Sequence, residues 1–91
     1  MNEKHQKRIS MLAHVTALYA NGELLVDVVW QKRPITVVRV QVPGYSETGE
    51  NFSKVNWPDE WDEEEGVGVA TRKALYDLAC ALVDTDTVVP Q

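Results

Sequence analysis

The stretch from Glu23 to Val42, ELLVDVVWQKRPITVVRVQV, restricts the fold more than any other part of the chain. Two runs rich in β-branched residues, Leu24 to Trp30 and Ile35 to Val42, flank the polar segment Gln31-Lys32-Arg33-Pro34. Val and Ile are stiff at χ1 and pack well on a pleated surface, so both runs read as strands. In the second, Thr36, Val38, Val40 and Val42 alternate with Val37, Arg39 and Gln41, the period of a half-buried strand. In the first, Leu24, Val26, Val28 and Trp30 fall on one face and Leu25, Asp27, Val29 and Gln31 on the other. A four-residue connection makes an antiparallel hairpin the most direct pairing.

The segment before the hairpin admits two readings. As a helix over 9–20, Met11, Leu12, Val15, Leu18 and Tyr19 form one apolar stripe, and Asn21-Gly22 supplies a left-handed stop. As a first strand, Val15 to Tyr19 could pair with Leu24 to Val28 across the same Asn-Gly. Beyond the hairpin, Pro43-Gly44 ends the second strand, and a short third strand is placed around Asn51 to Asn56. Pro58 followed by acids is a helix-start pattern. Either a short turn at 58–64 precedes a helix from Val67, or a single helix runs through Gly66 and Gly68. From 67 to 83 the stripe Val67, Thr71, Ala74, Leu75, Leu78 and Leu82 is strongly helical. The expectation is one α+β domain over residues 1–91, with an antiparallel sheet built on the 23–42 hairpin and the C-terminal helix on one face. Residues 1–8 and 84–91 are expected to be loose ends.

A 91-residue chain can bury one core with little stability to spare, which makes association, including a homodimer, a natural expectation, and the exposed edges of a hairpin in so small a sheet offer a further reading as a self-associating accessory subunit. The lone Cys80 builds neither a disulfide nor a zinc cluster, and its Ala/Leu-rich surroundings suit a buried hydrophobe. His5 and His14 lack ligand spacing, no serine carries a nucleophile motif, and there is no phosphate-binding loop. No metal, no cofactor and no enzymatic activity are therefore expected. No apolar run reaches the ~18 residues of a membrane span, so the expectation is a soluble cytoplasmic protein.

The net charge of −5 is unevenly spread. Residues 1–41 hold six Lys/Arg against three acids, and residues 42–91 three against eleven. The most distinctive segment is WPDEWDEEE, in which Trp57 and Trp61 are surrounded by Asp59, Glu60, Asp62, Glu63, Glu64 and Glu65. Both tryptophans could cap the core edge above a solvated helix start. Alternatively they form a recognition patch, since aromatics supply interface area and acids steer a basic partner. Closely spaced carboxylates can occupy a groove meant for phosphates, and in general character the chain is similar to small acidic phage-encoded inhibitors of host defence. The leading expectation is thus a non-enzymatic module binding a protein with a basic surface through residues 57–65.

Gly66-x-Gly68-x-Ala70-Thr71-Arg72-Lys73-Ala74, continuing to Ala79 and Leu82, resembles the C-terminal signature of double-stranded-RNA-binding domains. In that family a glycine pair leads into a helix with basic residues at its start and alanines on its packed face. The resemblance implies an α-β-β-(β)-α order and phosphate contacts at Arg72 and Lys73. Ala70 and Thr71 stand where the family carries a serine and its first lysine, and six acids lie directly upstream. A nucleic-acid-binding alternative would draw on Lys4, Lys7, Arg8, Lys32, Arg33, Arg72 and Lys73.

Overall fold

A computed structural model of the chain describes residues 2–55 and 61–90. The element order is α1 (Glu3–Ala20), β1 (Leu25–Lys32), β2 (Ile35–Gln41), β3 (Thr48–Lys54) and α2 (Glu63–Asp84). The strands form one antiparallel sheet in the order β1-β2-β3, giving the small α+β fold that the patterning predicts.

The first segment is a helix and starts earlier than its apolar stripe. Asn2 caps it, its side-chain oxygen accepting from the Lys4 backbone N–H at 2.8 Å, so the expected loose residues are helical from Glu3. It ends where Gly22, at φ 73°, and Glu23 donate back to the carbonyls of Tyr19 and Leu18. Val15 is fully buried, with Met11, Leu12 and Leu18 packed beside it. α1 lies against α2 rather than against the sheet.

The β2 alternation appears as read: Thr36, Val38 and Val40 are fully buried, while Val37, Arg39 and Gln41 are half-buried on the open face. The β1–β2 turn closes on Arg33-Pro34, whose peptide is cis. β3 begins three residues before the expected strand, and its weak β-formers are held by pairing with β2 throughout.

α2 lies across β2 and β3 on the other face. It is one helix through both glycines, capped by Asp62, whose side chain accepts from the N–H groups of Glu64 and Glu65. Ala70, Ala74, Leu75, Leu78, Ala79 and Leu82 form its buried stripe. The small residues let backbones meet. A Cβ at Gly49 of β3 would collide with the Ala74 carbonyl oxygen and the Leu78 nitrogen, and one at Gly66 would stand 2.8 Å from Thr36 Oγ1. The tail expected to be loose is strapped down after Asp84. His14 Nε2 meets the Val89 carbonyl at 2.8 Å, Tyr45 Oη donates to the Val88 carbonyl, and Thr87 Oγ1 donates to Glu47. Among the described residues, no helix is long and apolar enough to cross a membrane.

Candidate functional site

α2 packs across β2 and β3, and β1 is the strand it leaves uncovered. Its only extensive packing is against β2, and all eight of its residues are exposed. Leu25, Val26, Val28, Val29 and Trp30 retain 40–55% of their surface. Only Leu24, just ahead of the strand, reaches the core.

Cross-strand register assigns the faces, because directly opposed residues share one. Val26 and Val28 oppose Val40 and Val38, on the side of α2. Regular alternation would put Trp30 beside them. A bulge between Val28 and Trp30 shifts the register, so Trp30 opposes Val37, which in turn opposes Phe52. Trp30, Val37 and Phe52 therefore form an apolar row across the open face. Asp27, Arg39 and Glu50 form a neighbouring charged row, in which Arg39 pairs with Glu50 at 3.4 Å.

The two sheet edges differ. On β3, the Phe52 N–H donates to Asn51 Oδ1 at 2.7 Å and the Phe52 carbonyl accepts from Lys73 Nζ at 3.2 Å. Those main-chain groups are already occupied, and Glu50 and Lys54 add charge to the same strand. Among the described residues, no side chain hydrogen-bonds to the β1 backbone. The β3 edge is obstructed at Phe52, and the β1 edge is open among the described residues.

The acidic-aromatic segment divides. Trp57, Asp59 and Glu60 lie outside the described residues. Trp61 is half-buried, its ring 5.5 Å beneath the Arg33 guanidinium and its indole N–H buried, without a partner among the described residues. Asp62, Glu63, Glu64 and Glu65 are exposed in the first turn of α2 and form no ion pair among the described residues. They complement the positive end of the helix dipole.

The basic residues do not gather on one surface. Lys4 and Arg8 both pair with Asp84, at 3.2 and 3.0 Å, and Lys7 pairs with Glu3. The two cations hold the Asp84 carboxyl below its usual range, Arg8 contributing most. Lys32 and Arg33 sit by the other end of α2, next to Trp61. A 22-residue helix is about 33 Å long, which separates the two groups. Arg72 and Lys73 stand nine and ten residues inside α2, not at its start as the double-stranded-RNA-binding pattern requires. The helix start carries carboxylates instead.

Among the described residues, no three His, Cys, Asp or Glu side chains come together as a metal site. Cys80 is half-buried and Tyr76, beside it, has its hydroxyl pKa raised, chiefly by hydrogen bonding to that thiol. Comparison with protein-family models, curated proteins and solved structures gives no match.

The residues alone point to exposed hairpin edges in so small a sheet but do not single out β1 as the uncovered element. The signal was present: a strand apolar on both faces needs cover on both, and a chain with two helical segments has too little to give.

Proposed function

We propose that the chain is a non-enzymatic protein-binding module whose binding element is the free edge and uncovered faces of β1. The supporting observation is an eight-residue strand that is exposed throughout, carries five large apolar side chains and, among the described residues, ends the sheet without a blocking group. An exposed, apolar edge templates pairing with another chain, main-chain hydrogen bonds supplying affinity and side chains specificity. The test is a photo-crosslinking residue placed at Val28 in the native host, with Thr16 on the exposed side of α1 as control. Protein adducts at Val28 and not at Thr16 support the reading, and equal labelling at the two positions refutes it.

A second reading has its own support in the four exposed carboxylates of Asp62, Glu63, Glu64 and Glu65. Clustered in one helical turn without internal counter-ions, they suit steering toward a basic partner, including a defence or nucleic-acid-binding protein of the kind that small phage inhibitors target. Reversing Glu63, Glu64 and Glu65 to Lys would abolish capture of such a partner while leaving the fold intact; undiminished capture ends this reading. Nucleic-acid binding has weaker support, because Lys4 and Arg8 are already paired with Asp84 and the α2 start is acidic.

A further inference from the structure

We infer that the occupant of the β1 edge is the β1 strand of a second copy, paired antiparallel about a two-fold axis to make a continuous six-stranded sheet. The inference rests on the reading of β1 as a binding edge and identifies its partner.

Charge distribution selects the pairing. Glu23 and Asp27 lie at the N-terminal end of β1, and Lys32 and Arg33 at its C-terminal end. Antiparallel self-pairing sets the acidic end of each strand against the basic end of the other, and parallel pairing would set like charges together. Face chemistry selects the same partner. β1 has apolar side chains on both faces, Val26 and Val28 toward α2 and Leu25 and Trp30 on the open side. The matching strand must be apolar on both faces, and β1 itself meets that requirement. The alternative edge, β3, is polar along TGENFSK, and its main-chain groups at Phe52 are taken by Asn51 and Lys73. A β1–β3 contact would also be head-to-tail and able to propagate, whereas β1–β1 closes on itself and leaves two blocked edges outside.

The area is sufficient for a weak, specific dimer. At about 150–250 Å² for a large side chain fully exposed, the observed fractions leave roughly 400–500 Å² on β1 per protomer. Pairing that surface together with the strand backbones buries at most about 1,000 Å² in total, at the lower bound for a specific interface, because both sheet faces stay open. An interface at this low end suits a weak, reversible association of about micromolar dissociation constant, so the assembly responds to concentration.

The test is sedimentation equilibrium of the full chain from about 1 to 500 μM, a window set by the micromolar affinity expected. The expected result is a weight-average mass rising from 10.3 kDa toward twice that value. Val28→Lys puts a charge at an exposed position in the middle of the strand. It should weaken association at least tenfold with an unchanged circular dichroism spectrum. Lys32→Glu should weaken it through repulsion from the acidic end of the partner strand, and combining it with Asp27→Lys should restore it in part. A chain that stays monomeric throughout, or a dimer indifferent to both Val28→Lys and Lys32→Glu, overturns the inference. If the chain is monomeric yet Val28 crosslinks to a different protein, only the occupant is wrong. If it is monomeric and Val28 crosslinks to nothing, the reading of β1 as a binding edge falls with it.

Discussion

Replacing Gly49 by Ala tests how α2 is seated on the sheet. The new Cβ would run into the Ala74 carbonyl oxygen and the Leu78 nitrogen, with Leu78 Cβ at 2.8 Å. Two of these three atoms are helix backbone, which cannot swing aside as a side-chain tip can. Relief requires lifting α2 from β3 next to Leu78, which is fully buried. Overpacking of a tight core costs up to about 3 kcal/mol, and a main-chain collision belongs at that end. Loss of glycine's freedom in the unfolded chain offsets about 1 kcal/mol. The net destabilisation is about 2 kcal/mol, which for a domain of this size lowers Tm by roughly 10 °C. Gly68→Ala is the internal control. It sits in the same helix with nothing within 4 Å of its Cβ, so it should gain up to about 1 kcal/mol and raise Tm by roughly 4 °C. Calorimetry of the two variants against the wild type decides the matter. A Gly49→Ala protein melting within about 2 °C of wild type would refute the seating of α2 against β3.

Other outcomes follow from the same packing. Thr36 is fully buried and its hydroxyl has no partner among the described residues, so Thr36→Val should stabilise by about 1 kcal/mol in urea titration; a loss of stability would contradict that burial. Leu78→Ala, at a site with no exposure, should cost about 3 kcal/mol by the same assay. Asp84, hydrogen-bonded by Arg8 and Lys4, and Glu47, hydrogen-bonded first by Thr87, both have pKa values below the usual range. Their stabilising contributions are therefore complete above the ordinary carboxylate pKa of about 4 and are lost as pH falls through the depressed values. Tm measured against pH should decline below about pH 4, and Asp84→Asn should flatten that decline; an unchanged slope would count against the Arg8–Asp84 tie.

Much of this architecture was legible in the residues. The valine alternation gave β2 its buried face, and the Thr71–Leu82 stripe gave α2 its packed one. Residues 9–20 left helix and strand open because Asn21-Gly22 serves either, and the matter turned on packing against α2, which no local signal carries. β3 was only partly legible, since TGENFSK has weak strand propensity and Gly49 is there for the approach of a helix 25 residues later. The start of α2 was obscured by Gly66, which loosens a helix locally but here admits Thr36 of β2. Trp30 was assigned to the wrong face because a one-residue bulge inverts alternation beyond it. The acidic segment was legible as charge; Trp61, a candidate recognition aromatic there, is half-buried beneath Arg33, and among the described residues the more exposed indole is Trp30. Exposure of β1 depends on which strands a single helix can span, a three-dimensional property that strand patterning alone does not state.

If β1 is an open edge that another chain covers, its backbone amides must respond to protein concentration. Amide hydrogen exchange across residues 25–32, measured at low and at high protein concentration, addresses that directly. Fast exchange at the outward amides of β1 in dilute solution, becoming protected as concentration rises while 48–54 stays unchanged, is the predicted result. Protection of β1 equal to that of β2 in the most dilute sample, with no dependence on concentration, would contradict it.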